Sequence, residues 1–371
     1  MYSAVICHLP LAIRHPPSAI RHPPSAIRHP PSAIRHPPSA IRHLPFAIRY
    51  LPSGILNLML PLPGFDELHQ RADARSEPAT IAVAGADDPT VIEALAIALL
   101  RGWVRPLLVG PEAGIRATAR SLNVELEGMR ILHAEAGEAA PAAVAEVRAG
   151  RARALMKGQI ATPSLMKAVL DANFGLRTGR VICQIVLMEI PRDNRRFLMA
   201  DTGITVQPSL EDKADILRSS VEVAHALGVA LPRVALVAAT ETVKAAMPET
   251  VDAHELTRRH EQGEFGSCLV QGPLSFDLAY ARDAGDKKRI GGTVVGAADV
   301  MVFPDLLSAN LTVKAIMYTA DCRFGGVLGG TAAPVVFMSR ADSPRTRLNS
   351  LALTLAILDG DRALPKCDAI Q

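Results

Sequence analysis

From Thr80 onward the chain alternates between short runs of apolar, often β-branched residues and longer stretches with helical periodicity. TIAVAG (80–85) predicts a buried strand that ends on small residues. The DDPTVIEALAIALLRG that follows predicts a helix. Asp88 can accept from free N–H groups of its first turn, and Pro89 is pre-set for that turn. Ile92, Leu95, Ala96 and Leu99 share one face, and Gly102 supplies a stop. RPLLVG (105–110), RILHAE (130–135) and ARALMKG (152–158) repeat the strand signal, each separated by a segment of helix length. This βαβα punctuation predicts an α/β fold, a parallel sheet with helices on both faces.

VICQIVLMEIP (181–191) and RFLMAD (196–201) break the pattern. Only the polar PRDNR separates them, so they predict an antiparallel hairpin and a change of domain. A long helix is expected from Ser209, where SLED has the form of a capping box with Asp in place of Glu. RVALVAAT (233–240), SCLVQGP (267–273) and DVMVFPD (299–305) read as further buried strands. The last unit is the strand APVVFM (333–338), a turn at SRAD, and a helix opening at Ser343-Pro344. Two α/β domains with a cleft between them are expected.

The first 58 residues are of another kind. AIRHPPS starts at Ala12, Ala19, Ala26 and Ala33, then decays to AIRHLPF and AIRYLPS. Pro-Pro in nearly every period prohibits a coiled coil and leaves an extended, disordered reading. An organellar leader would need an amphipathic helix that these prolines forbid. The regularly spaced histidines of a floppy tail form no preformed metal site. Translated repeat DNA ahead of a start at Met59 accounts best for the tandem identity. The segment also distorts the charge: it holds six Arg and no acidic residue, so the +3 of the whole 371-residue chain becomes 34 basic against 37 acidic residues without it. A mildly acidic body argues against nucleic-acid binding through a basic surface. The five cysteines, Cys7, Cys183, Cys268, Cys322 and Cys367, are widely spaced, which argues against a disulfide framework or structural zinc. No apolar run reaches a membrane-spanning length. The expected location is the cytoplasm.

Ligands of open α/β sheets bind beyond the C-terminal ends of strands, which selects a few polar residues. In APVVFMSRADSP, Ser339 and Arg340 follow a strand and precede a helix whose free N–H groups and dipole favour an anion. Arg340 adds a planar donor fork, and Ser339 and Ser343 add hydroxyls. A surface ion pair for Arg340 and a simple cap for Ser343 fit the spacing equally. Asp342 reads as a general base or as a turn residue. GGVLGGTA (325–332) reads either as a close approach to a ligand or as a flexible loop. Asp299, Asp305, Asn310 and Lys314 surround another strand end, where cap chemistry competes with ligand binding. Lys157 follows a strand and Lys167 lies on a helix, each readable as a solvated lysine. Asp201, Thr202 and Gly203 mark a further strand end. No GxSxG elbow, P-loop or HExxH is present. Cys183 and Cys268 sit within apolar strands and read as inert core.

Taken in order, MKGQIATPSLMKAVL, FGLRTGR, ADTGITVQPSLEDKADI, VEVAHALGV, QGPLSFDLA, GAADVMVFPDLLSANLTVKA and FMSRADSPRTRLNSLALT resemble the phosphate acetyltransferase and phosphate butyryltransferase family, from about residue 79 to 358. The resemblance implies a two-domain fold like that of isocitrate and isopropylmalate dehydrogenases. It divides the chain into a first domain of residues 59–177 and 325–371 and a second of 178–324. It implies the reaction acyl-CoA + phosphate ⇌ acyl phosphate + CoA, by direct attack without an acyl-enzyme, and no cofactor, metal or nicotinamide. A homodimer or larger assembly is implied, with no nucleic-acid or membrane partner.

Ser339 and Arg340 match the family's active-site Ser-Arg pair, and Lys167 falls near an anion-binding Arg of acetyl-specific members. Those members carry a catalytic Asp where this chain has Thr346. SRADS followed by TRLNSLAL resembles instead the butyryl-type members and the fused enoyl-CoA hydratase–acyltransferase members, and leaves Asp342 as the nearest carboxylate. The expected catalytic residues are Ser339, Arg340 and Asp342; Lys157, Lys167, Asp305, Asn310 and Ser343 are the expected substrate contacts. Two other readings compete. One is a non-catalytic acyl-CoA-sensing module of the same fold, favoured by Thr346 and opposed by Ser339-Arg340. The other is a dehydrogenase of related fold, which needs a carboxylate cluster that cannot be assembled here.

Overall fold

The computed structural model describes residues 61–337, 339 and 342–363; the repeat block, Met59 and Arg340 lie outside them. After helix α1 (Phe65–Asp73) the predicted alternation begins with β1 (Ala79–Ala84) and α2 (Pro89–Leu100). Asp88 caps α2 as expected, its carboxylate accepting from the Val91 N–H at 3.0 Å. The helix stops at Gly102, whose φ of +74° a side chain would resist. Then come β2 (Val104–Gly110), α3 (Glu112–Ser121), β3 (Arg130–His133), α4 (Ala139–Arg148), β4 (Ala154–Lys157) and α5 (Thr162–Val169). The expected hairpin is β5 (Cys183–Ile190) against β6 (Arg195–Ala200), antiparallel. Helix α6 (Leu210–Ala226) starts with the predicted capping box, Ser209 and Asp212 exchanging hydrogen bonds. β7 (Arg233–Val237), α7 (Pro248–Glu261), β8 (Leu269–Leu274), α8 (Phe276–Tyr280), α9 (Arg282–Lys288), β9 (Val300–Val302) and α10 (Leu306–Thr319) follow. The described chain closes with β10 (Arg323–Gly329), β11 (Val335–Val336) and α11 (Pro344–Ala363).

All eleven strands of the described residues form one sheet in the order β3-β2-β1-β4-β11-β10-β5-β6-β9-β7-β8. The sheet is mixed rather than parallel. β10 runs antiparallel to both β11 and β5, and the β5–β6 hairpin reverses the sense again. As a result β6, β9, β7 and β8 run opposite to β1–β4. One apolar core lies under a single face along the sheet, from Ile81 and Val83 through Ile185 and Leu187 to Val234 and Val300. The opposite face carries two separate cores, one around Ala82, Leu155 and Leu165, the other around Met188, Phe197 and Met301. Alternate residues of a strand feed opposite faces, as period-two geometry requires.

One expectation needs correcting. GGVLGGTA is not the loop or ligand-approach segment that its glycines suggest: Gly325, Gly326 and Gly329 belong to strand β10. Gly325 makes room for helix α11, whereas Gly329 faces Ile185 and Ser219. A Cβ on Gly325 would lie 3.0 Å from the Asn349 carbonyl carbon and from the Ser350 nitrogen, both backbone atoms. The Gly326 N–H donates to Ser350 Oγ at 3.0 Å, and Asn349 Nδ2 donates to the Phe324 carbonyl at 3.2 Å. Helix and strand therefore lie closer than side chains on the strand would permit. Gly325→Ala should cost about 1–3 kcal/mol through overpacking, read as a lower urea midpoint at unchanged slope. An unchanged midpoint would contradict the close approach.

Candidate active site

Strands β4 and β11 are parallel neighbours, with Met156 paired to Val336. Their C-terminal ends deliver Lys157 on one side and the turn that begins at Ser339 on the other. Asp342 closes this turn: its carboxylate accepts from the Ser339 N–H at 2.7 Å, and its own N–H donates back to the Ser339 carbonyl at 3.3 Å. Ser343 then starts α11, its Oγ accepting from the Thr346 N–H at 3.2 Å and contacting Thr346 Oγ1 at 3.1 Å. Thr346, which stands where acetyl-specific relatives of the family are expected to carry Asp, is thus part of a helix cap. Ser339 and Ser343 are exposed, and Asp342 is half-buried.

The electrostatics centre on Asp342. Burial pushes its carboxyl above the ordinary range; the Ser339 N–H, Arg347 and Lys157 oppose that shift. Both cations are buried, Lys157 at 2% exposure and Arg347 at 1%. Lys157 Nζ lies 3.4 Å from the Gly158 carbonyl. Arg347 donates from Nε to Thr90 Oγ1 at 2.8 Å, and its Nη2 is 3.8 Å from Asp88 Oδ1. Two buried cations within electrostatic reach of a half-buried carboxylate form a site that can hold negative charge and exchange a proton.

Lys157, Ser339, Asp342 and Ser343 are therefore brought together. The other expected contacts stand elsewhere. Lys167, on α5, lines a cavity of about 370 Å³ with Glu138, Pro141, Val144, Ser164 and Phe174. Asp305 caps α10 by accepting from the Ser308 N–H at 2.8 Å. Asn310 Nδ2 donates to the Thr202 carbonyl at 2.9 Å, the Thr202 N–H to the Gln184 carbonyl at 3.1 Å, and Gln184 Nε2 to the Phe337 carbonyl at 3.3 Å. This chain of contacts runs from α10 to the strand that carries the Ser339 turn. Arg340 is outside the described residues.

Other polar strand ends are structural. Asp201 accepts four backbone N–H groups, from Gln184, Gly203, Ile204 and Thr205, and Asp299 forms a bidentate pair with Arg233 at 2.8 Å. Burial pushes the Cys183 thiol well up and that of Cys268 to about 11, so both are held as inert thiols. No cluster of three or more His, Cys, Asp or Glu able to hold a metal occurs among the described residues, and no described helix is long and apolar enough to cross a membrane. The residue missed in the sequence is Arg347. The signal for it is slight: it is the single charge in TRLNSLALTLAIL, a stretch whose other residues are apolar or small and uncharged.

With this geometry in view, comparison with known proteins places the chain among the acyltransferases. Residues 135–355 match the model of the family described as phosphate acetyl/butaryl transferase, and the chain belongs to that family. It is 35% identical to the phosphate butyryltransferase of Clostridium acetobutylicum, over 81% of this chain and all of the relative. It is 37% identical to the phosphate acetyltransferase of Thermotoga maritima, over 76% of this chain and 96% of that one. A crystal structure of a branched-chain phosphotransacylase from Enterococcus faecalis superposes with a TM-score of 0.68 at 27% identity, covering 76% of this chain and 99% of the other. The α/β fold is thus that of a solved phosphotransacylase.

The raised Asp342 carboxyl yields a stability prediction. A carboxyl raised in the fold favours its protonated form, so its charge costs stability above the raised value and costs nothing once the pH falls below the ordinary value. Asp342→Asn should therefore resist urea better than the parent chain at neutral pH, with the difference closing as pH falls toward about 4. Lower stability of the variant at neutral pH would show that the charge is net favourable.

Proposed function

We propose that the chain interconverts a short-chain acyl-CoA and phosphate with acyl phosphate and CoA, the acyl group being acetyl or butyryl. The observation that carries this reading is Asp342, held half-buried before Lys157 and Arg347 at the start of α11. Phosphate attacks the thioester carbonyl directly while both substrates are bound, and negative charge grows on the carbonyl oxygen. Ser339, Arg340 and the free N–H groups of α11 stabilise that charge and the phosphate. The C–S bond breaks as the C–O bond forms, and the CoA sulfur takes a proton from Asp342; in reverse, the Asp342 carboxylate removes it. A carboxyl raised by burial suits both directions. Bringing the substrates together supplies much of the remaining barrier reduction. No metal or nicotinamide enters this scheme.

In this reading Lys167 holds an anionic part of acyl-CoA at its cavity, and Asp305 and Asn310 act from the other half of the sheet. The two separate cores on one sheet face support a division into domains, 59–177 with 325–371 and 178–324. A homodimer or larger assembly is supported by the outward side of α10, where Leu307, Leu311 and Tyr318 are exposed.

The test follows thiol release from acetyl-CoA and butyryl-CoA by the full chain, with and without phosphate. Release that requires phosphate is expected, and the ratio of rates names the acyl group; no phosphate-dependent release would refute the reading. Arg340→Ala should lower kcat by about 100- to 1,000-fold while leaving the circular dichroism spectrum unchanged. Near-normal turnover in that variant would remove Arg340 from the site.

A further inference from the structure

Arg347 is given no bond-making or proton-transfer step in the scheme above, yet its placement is unusual. It lies in the first turn of a helix whose residues Leu348, Leu351, Ala352 and Leu353 are all buried, and its own side chain is 1% exposed. Its backbone N–H belongs to that first turn, donating to the Ser343 carbonyl at 3.1 Å. Its side chain leaves α11 and crosses to the start of α2, where Nε donates to Thr90 Oγ1 at 2.8 Å. Thr90 Oγ1 donates in turn to Asp88 Oδ1 at 2.6 Å, the same oxygen that accepts the Val91 N–H. The Nη2 atom is buried, makes no hydrogen bond, and stands 3.8 Å from Asp88 Oδ1.

A link that only joined two helices would be better made by apolar side chains, because a buried guanidinium loses hydration that one long ion pair and one hydroxyl do not replace. Burial does push the Arg347 guanidinium below its ordinary range, against the pull of Asp88 and Asp342. What an apolar replacement would lack is a fixed positive charge behind Asp342. The charged groups facing that carboxylate among the described residues are Arg347 from α11 and Lys157 from the end of β4, and Asp88 faces Arg347 from α2.

We propose that Arg347 is a positioning residue for acyl transfer: through Thr90 and Asp88 it pins the first turn of α11 to the start of α2, and so fixes where the Asp342 carboxylate stands relative to the two substrates. The proposal rests on the acyl-transfer reading for its kinetic consequence but not for its geometry.

The test uses the full chain and three variants. Arg347→Met keeps length and removes charge; kcat should fall about 10- to 100-fold, with KM for acyl-CoA and phosphate changed no more than about twofold. In this direction Asp342 gives the proton, so the alkaline limb of kcat should move to higher pH, because Asp342 has lost a nearby cation while Lys157 remains. Arg347→Lys should keep that limb in place and recover part of kcat. Thr90→Val should lower kcat without moving the limb, since the charge stays and only its anchor is lost. Wild-type kcat in both Arg347→Lys and Thr90→Val overturns the proposal even if Arg347→Met fails to fold. So does a loss in Arg347→Met that is equal at every pH and not recovered by lysine, the behaviour of a merely structural residue.

A readout independent of turnover separates this from failure of the acyl-transfer reading. The Asp342 carboxyl carbon is titrated by 13C NMR, with Asp342→Asn for assignment. A higher titration midpoint in Arg347→Met supports the proposal whether or not acyl-CoA is consumed, and an unmoved midpoint overturns it.

Discussion

Helix α11 starts at the candidate site, and the rest of the structure is arranged around its burial. Its polar residues Asn349 and Ser350 touch the backbone of β10 where Gly325 offers no side chain. Its charged residue Arg347 reaches α2, which follows the first strand of the sheet. The helix is thus held from two sides by segments far away in sequence. That grip sets the turn Ser339–Ser343 beyond the end of β11. A helix anchored by surface contacts alone would leave the same turn free to shift, and with it the Asp342 carboxylate.

The site uses the cost of burying charge. Two cations at 1% and 2% exposure would be expensive alone, and so would a half-buried carboxylate. Set against each other they are tolerable, and the carboxyl remains raised despite both cations and a backbone N–H. A reaction that brings phosphate to a thioester gathers negative charge, and it needs one group able to pass a proton to and from sulfur. In the proposed reading the arrangement around Asp342 supplies both. Thr346, in turn, is engaged in the cap with Ser343, which is a structural use of that position and leaves Asp342 as the described carboxylate at this helix start.

Much of this was legible along the chain, for reasons that are local. Asp88 and Pro89 open a helix by their own chemistry, and the Ser209–Asp212 capping box needs only four residues. The β5–β6 hairpin followed from two apolar runs too close together for a crossover. What escaped depends on distant partners. Nothing within GGVLGG announces a strand, because Gly325 answers to the backbone of Asn349 and Ser350 and Gly329 to the side chains of Ile185 and Ser219, all distant in sequence. Arg347 stands out along the chain only as a lone charge in its stretch; its partners Thr90 and Asp88 lie more than 250 residues earlier. Asp305 caps α10 and Asn310 holds the Thr202 carbonyl, contacts that leave both as candidate ligand residues. Caps and ligand contacts draw on the same residue types at strand ends, so spacing alone cannot separate them.

The central claim is that phosphate attacks the thioester while both substrates share the site, with no acyl group passing through the protein. Isotope exchange tests this most directly: the full chain is incubated with unlabelled butyryl-CoA and labelled CoA in the absence of phosphate. The account predicts no label in butyryl-CoA until phosphate is added, then exchange that rises with phosphate. Exchange without phosphate would reveal an acyl-enzyme and contradict it.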